Sequence, residues 1–258
     1  VVNDLASALP NLPAGYQLRH LAEVDSTNEE ARRLAAQGET VPTWIMADRQ
    51  TAGRGRRGRA WASPSGNLMT TLYLPQGFDA VSAGQIAFVA GLALEDTVRG
   101  FMGAGAQVSL KWPNDVLING KKASGILLES AMRDNKLDWL AVGLGLNLAH
   151  HPDDTPYPAT NMQNEGCAPI SNGQALAHLA AAFDAVFQQW QRGGFAPILT
   201  AWRQVAHGLG GPIVARLENH QIEGMFQDID EKGALMLRDG AGETHIIDAG
   251  DVFFPEAE

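Results

Sequence analysis

The run QVSLKWPNDVLINGKKASGILLE, residues 107–129, decides how this chain folds. Gln107 to Lys111 alternates polar and apolar residues, and Val116 to Ile118 is aliphatic, so both are expected to be extended. Between that strand and the next lies Asn119-Gly120. A two-residue hairpin turn needs positive φ at both of its central positions, and Asn-Gly is the pair that tolerates this best. Ser124 to Glu129 is then the returning strand. Leu137 to Leu148 makes a further one, ending in Gly143, Gly145 and Asn147.

Upstream of this β-rich centre, Ser82 to Phe101 carries Ile86, Val89, Ala90, Ala93 and Val98 at helical spacing. Leu68 to Leu74 and Thr43 to Ala47 read as strands. Ser26 to Gln37 reads as a helix, with Ser26/Glu29 and Thr27/Glu30 both fitting a capping box and Gly38 as its stop. Residues 1–15, with Pro10 and Pro13, are a weak leader. Downstream, His150 to Ile170 is rich in Pro, Asp and Asn and is expected to be a surface loop. Helices are expected over Gly173 to Arg192 and Ala196 to His207. After Gly208, Gly210 and Gly211 the texture changes to short strands separated by tight turns: Pro212 to Glu218, Gln221 to Asp230, Ala234 to Arg238 and Thr244 to Asp248. The expected architecture is α+β: a mixed sheet flanked by helices over residues 1–208, and a small all-β barrel over residues 209–258.

The formal net charge of the 258 residues is −10, which argues against a general binder of nucleic acid or of an anionic membrane. Four of the 19 basic residues nevertheless fall between Arg54 and Arg59, and a concentrated cationic loop on an acidic protein points to one local anionic ligand. The single cysteine, Cys167, permits no internal disulfide and fits a reducing cytoplasm. The longest apolar run, Ile86 to Leu94, is too short to span a bilayer, and the N-terminus lacks the basic start of a signal peptide.

Five segments carry candidate chemistry. They are DSTN (25–28), QTAGRGRRGR (50–59) with Trp61, KWPND (111–115), KASGILLE (122–129) and GLGLN (143–147). In the second, glycines leave backbone amides open to a phosphate and arginines can grip it bidentately. It is neither a Walker A loop nor a dinucleotide fingerprint. Gly53 to Gly58 holds three glycines and no apolar residue, so little is expected to hold it down. Lys111 closes a strand and can point from it into a cleft. Each segment alone has a plainer reading: a solvated turn, a surface lysine, an N-cap, or a bulge at Gly143 and Gly145. The histidines show no metal spacing.

Taken in this order, the set resembles the biotin–protein ligase family, from about Leu18 to the C-terminus. The glycine–arginine loop and KWPND together are highly specific. The resemblance implies a catalytic domain like that of class II aminoacyl-tRNA synthetases plus a small C-terminal SH3-like barrel. It is to the short, monofunctional class, since the bifunctional members carry a winged-helix DNA-binding domain ahead of the catalytic one. The implied reaction uses ATP, with Mg²⁺, to adenylate biotin. Biotin is then transferred to a lysine of a biotin carboxyl carrier domain. The resemblance places Ser26, Thr27, Asn28, Gln50, Gly53, Gly55, Trp61 and Gly125 at biotin, with Arg54, Arg56 and Lys111 shared between biotin and the adenylate. It places Arg59, Asn114 and Asn147 on the nucleotide side, and makes Lys111 and Arg56 the catalytic cations. Metal ligands stay unassigned. The loop from Gly53 to Arg59 is expected to be mobile when empty and ordered over the adenylate. A cytoplasmic enzyme without DNA or membrane partners is implied, and a homodimer is admitted. The rivals are a lipoate–protein ligase or octanoyl transferase of the same fold, a nucleic-acid binder using the arginine loop, and a co-repressor without catalysis.

Overall fold

The computed structural model describes residues 10–75, 78–103, 105–133, 136–155 and 157–254. Of the expected leader, residues 1–9 lie outside the described residues, and 10–15 form neither helix nor strand. The chain then runs through β1 (Gln17–Leu21), α1 (Thr27–Ala36), β2 (Thr43–Ala47), β3 (Leu68–Pro75), α2 (Ala80–Met102), β4 (Val108–Lys111) and β5 (Asp115–Ile118). It continues through β6 (Lys121–Arg133), β7 (Lys136–Leu146), α3 (Asn172–Gly193) and α4 (Phe195–Gln204). Five short strands close it: β8 (Pro212–Arg216), β9 (Gln221–Ile229), β10 (Leu235–Asp239), β11 (Thr244–Ile247) and β12 (Asp251–Phe253).

The first sheet has the order β1-β2-β3-β7-β6-β5-β4. It is mixed because β1 and β2 are joined through α1 and so run parallel, whereas the other neighbours are antiparallel. The hairpin between β5 and β6 turns at Asn119 and Gly120, both with positive φ (51° and 77°), as the residue pair requires. Side chains alternate across the sheet. Trp44, Met46, Leu72, Leu74, Leu140 and Val142 face the large core under α2, α3 and α4. Ile45, Tyr73, Trp139 and Ala141 face the smaller core under α1. Both faces are therefore covered, but α1 has only ten residues and leaves the rest of its face open.

The 23-residue helix α2 is apolar enough to cross a membrane by length and composition, but 67% of its most apolar window is buried inside the protein, so this is the apolarity of a core helix. Asp79 caps its start at Ser82 N, and a full capping box starts α3, from Ser171 and Gln174. The two boxes expected at α1 do not form. Ser26 is the N-cap residue but its side chain makes no cap bond; its own amide donates to Asp25, and the Thr27 amide donates to the side chain of Gln50. Glu29 and Glu30 turn instead to Arg32, Arg33 and Arg19. Helix α4 stops at Gln204, short of His207, because the chain is drawn beside β4: Leu110 N donates to Val205 O and His207 N to Leu110 O.

The C-terminal strands form one antiparallel sheet of order β11-β10-β9-β8-β12 around Ile213, Phe226, Leu235, Leu237 and Val252. It is docked on the first unit by the Trp112 indole, which donates to Gly233 O at 3.0 Å, and by Arg203, which makes two bonds to Asp228. Trp44 is fully buried and packs edge-on against Phe183. Trp44→Ala is expected to cost about 3–5 kcal/mol, the usual loss for emptying a large aromatic site; a urea midpoint unchanged from wild type would remove Trp44 from the core.

Candidate active site

The part of the sheet that α1 leaves open is floored by glycine. Gly145 pairs with Gly125 across β7 and β6, and Gly143 pairs with Leu127 and, on the other side, with Thr71. The pairing is regular there, so neither Gly143 nor Gly145 marks a bulge. Both permit close approach of a side chain. A Cβ at Gly145 would lie 2.5 Å from the Trp61 ring, one at Gly125 3.2 Å from it, and one at Gly143 would overlap the Asn28 amide. Over this floor opens a cavity of about 340 Å³. It is lined by the N-terminus of α1, by the loop that carries Arg54, Gly55, Arg56, Arg59 and Trp61, and by Lys111, Asn114, Gly125 and Asn147.

One wall is a hydrogen-bond lattice. Gln50 Oε1 accepts from Thr27 N (2.8 Å) and from Thr27 Oγ1 (3.1 Å), and Gln50 Nε2 donates to Ser63 Oγ. The Thr71 hydroxyl lies 2.8 Å from Thr27 Oγ1 and 2.6 Å from Asn28 Oδ1. Asn28 Nδ2 donates to Glu129 and to Leu127 O. Asn28 is thus occupied by the framework, whereas Ser26, lining the cavity at the helix N-terminus, keeps its hydroxyl free of any cap bond. Gly53 stands behind the lining, where a side chain would press on Ser63 and on the Trp61 carbonyl. On the opposite wall Asn147 donates to Thr160 O, and Asn114 donates to Ile126 O while accepting from Arg56.

The arginine loop is folded on itself by Gly55 N to Arg59 O (2.7 Å) and Trp61 N to Gly53 O (2.9 Å), around a 3₁₀ turn at Arg56–Gly58 in which Arg57 takes a positive φ of 56°. It does not lack anchors. Arg54 lies 3.5 Å from both Glu29 and Glu129. Asp251 of β12 meets Arg59 at 2.6 Å, Arg57 at 3.5 Å and Arg56 at 3.8 Å, and Arg56 also donates to Gly250 O. The expectation that little holds this segment down fails here, because its anchors come from Glu29, Glu129 and Asp251, on other elements of the fold, and cannot be read locally.

A second lysine joins Lys111. Lys122 lines the cavity, its ammonium 2.6 Å from Asp115 and 5.7 Å from the centre of the Trp61 ring. Strict alternation would put Lys122 and Gly125 on opposite faces. Instead, adjacent Val116 and Leu117 pair with Ser124 and Lys122, so Ala123 is the extra residue of a β-bulge and both cavity residues face the same way. Burial lowers the pKa of Lys111, with Asp115 and Asp251 opposing the shift, and burial likewise lowers that of Arg56, which stays charged.

Comparison with known proteins places this geometry. A family model for the biotin/lipoate A/B protein ligases matches residues 21–147, and one for the biotin protein ligase C-terminal domain matches 208–254. The chain is 45% identical over 240 residues to a biotin–[acetyl-CoA-carboxylase] ligase of Paracoccus denitrificans, covering 91% of this chain and 99% of the relative. This chain belongs to the biotin protein ligase family. It is 33% identical to the corresponding ligase of Mycobacterium tuberculosis, over 92% of this chain and 88% of that one. Among solved structures it is similar to the biotin protein ligase of Aquifex aeolicus in complex with biotin and ATP, with a TM-score of 0.77, 28% identity, and coverage of 92% and 97% of the two chains.

In this family member, then, the C-terminal sheet is part of the cavity wall, since Asp251, Val252 and Phe253 line it. Neither β12 nor Asp251 was expected from the sequence; three residues near the chain end carry too little pattern. Asp251→Asn is expected to loosen the arginine loop. Each ion pair lost is worth about 0.2–1 kcal/mol, so trypsin should cut between Arg54 and Arg59 several-fold faster than in wild type. Equal cleavage rates, read by mass spectrometry, would mean that Asp251 does not hold the loop.

Proposed function

We infer that the enzyme activates biotin with ATP to biotinyl-5′-AMP and then joins biotin, through a C–N bond, to a lysine of a biotin carboxyl carrier domain. The observation that carries this reading is the meeting of five cationic side chains, Arg54, Arg56, Arg59, Lys111 and Lys122, around a cavity floored by glycine and a tryptophan ring.

The first step brings a carboxylate to a phosphate. Two unit charges ~4 Å apart repel by about 4 kcal/mol at an effective dielectric near 20. A carboxylate oxygen attacks the α-phosphorus, pyrophosphate leaves, and the added negative charge of the transition state falls among fixed cations, where it is stabilised most. Lys111 and Arg56 are assigned the largest share, with Arg54, Arg59, Asn114 and Asn147 holding the nucleotide. In the second step the acceptor amine attacks the acyl carbon, loses a proton, and AMP leaves.

Biotin's rings and chain suit Trp61 and the bare floor at Gly125. Its ureido group suits Ser26 Oγ and the Gln50 Nε2 proton not given to Ser63. Thr27, Asn28 and Gly53 shape this end through the lattice described above. A buried hydrogen-bonding site of this kind discriminates strongly against ligands that cannot satisfy it. Mg²⁺ is expected to travel with the triphosphate. Of the three carboxylates that line the cavity, Asp115 and Asp251 already hold Lys122 and Arg59, and Asp154 by itself is not a metal cage, so no step is assigned to a metal. A reducing cytoplasm suits the buried thiol of Cys167.

Calorimetry with biotin and with lipoate, each with and without ATP, tests the reading. Biotin should bind and lipoate should not; preferential binding of lipoate would move the enzyme to the lipoate side of its family. Lys111→Ala is expected to slow biotin-dependent pyrophosphate release by about 10²–10³, as loss of one transition-state cation does. First-step turnover at the wild-type rate would remove Lys111 from catalysis.

A further inference from the structure

Two ammonium groups share the cavity wall, and they are neutralised differently. Lys122 has a carboxylate, Asp115, at 2.6 Å. Lys111 is faced by rings: its Nζ is 4.9 Å from the centre of Tyr157, 5.6 Å from Phe253 and 5.9 Å from Phe254. The Tyr157 ring serves both lysines, for Lys122 Nζ lies 5.3 Å from its centre. Its hydroxyl also lies 3.5 Å from Arg59 Nη1. One ring in a polar loop thus faces three cavity cations. Behind it stands Phe253 of β12, 6.4 Å away and itself covered by the Arg216 guanidinium at 4.1 Å.

We propose that Tyr157, backed by Phe253, is a positioning residue that holds the Lys111 and Lys122 ammonium groups side by side at the cavity wall. Lys111 has lost most of its water, and Lys122 and Arg59 add like charge beside it. Both effects favour the neutral amine, which could not stabilise a phosphate. Asp115 from β5 and Asp251 from β12 oppose them, and His207, beyond α4, contributes little charge because burial and Lys111 itself lower its pKa. An aromatic face attracts a cation within about 6 Å, and more strongly when the cation is desolvated. It also leaves the far side of the ammonium open. A carboxylate at the same place would compete with the incoming phosphate for Lys111; a ring does not. The loop carrying Tyr157 and the C-terminal sheet would thereby act on the reacting groups through Lys111.

The turnover part rests on the biotin-activation reading, so the test has an arm without substrate. The titration of Lys111 can be followed by NMR of ¹³C-labelled lysine side chains, assigned with Lys111→Arg. Tyr157→Leu should lower the midpoint of Lys111, Phe253→Leu should lower it less, and Tyr157→Phe should keep it near wild type because the ring face remains. In biotin-dependent pyrophosphate release, Tyr157→Leu should lose about ten-fold in kcat, in keeping with a desolvated cation–ring contact. Lys111 must be protonated to act, so activity falls as pH rises through its pKa. A lowered pKa moves that fall to lower pH, whereas a purely structural defect would lower activity equally at all pH. Tyr157→Phe should recover most of the lost rate. A Lys111 midpoint unmoved in both leucine variants would overturn the proposal. Wild-type enzyme that releases no pyrophosphate with biotin would sink the activation reading instead, and the titration would still decide whether the ring holds the lysine.

Discussion

Five like charges directed at one cavity repel one another whenever no ligand is bound, and the protein must offset that repulsion without filling the space the charges surround. The neighbouring anions do this. Glu29 and Glu129 flank Arg54, Asp251 gathers Arg56, Arg57 and Arg59, and Asp115 holds Lys122. They come from α1, the β5–β6 hairpin and β12, three parts of the chain far apart in sequence, so the charge balance of the cavity depends on the complete fold and on the docked C-terminal sheet. The acidic excess of the chain, −10 overall, has a local counterpart here.

Room for the ligand comes from a second constraint, the missing side chains of the floor. Period-2 alternation sends Trp139 and Ala141 of β7 under α1, and the next two positions on that face are Gly143 and Gly145. Where the helix ends, the side chains end with it. The bare backbone lets Asn28 and Trp61 descend to the sheet, and the same step places the α1 N-terminus, with Ser26 and Thr27, at the cavity edge. The absent capping boxes fit this arrangement: a side chain bonded to its own helix end could not also face a ligand, and Gln50 satisfies the Thr27 amide from the side.

How much of this could be read beforehand depended on how local its cause was. The hairpin at Asn119-Gly120, strand Thr43 to Ala47 and helices α2 and α3 follow from turn chemistry and periodicity over a few residues, and all were legible to within a residue or two. Strand β1 was not, because Gln17 to Leu21 is an edge strand carrying Arg19 and His20, which pair with Glu30 and Asp48. Of the candidate residues, all but Gly53 line one cavity. Lys122 was hidden by a bulge at Ala123, a property of the pairing between β5 and β6 that neither strand announces alone. Asp251 and Tyr157 were hidden because nothing local distinguishes an acid or an aromatic that pairs with a cation more than 40 residues away.

The two kinds of partner given to the cations bear on how the cavity changes when it fills. Carboxylates and phosphates compete for the same guanidinium hydrogens, so on the proposed reading Asp251 and an incoming triphosphate are alternatives for Arg56 and Arg59. Asp251 divides one carboxylate among three arginines, in contacts that range from 2.6 to 3.8 Å, and no single pair is strong. A ligand with several phosphate oxygens can therefore take over these guanidinium groups without first breaking a costly bond. Lys111 is faced instead by the rings of Tyr157, Phe253 and Phe254. If they position it as proposed, the ammonium is already oriented when charge builds at the phosphorus. Exchangeable partners on the loop arginines and non-competing partners on the strand lysine would then divide the work: the first can yield to an incoming anion, and the second leave the ammonium free to meet it.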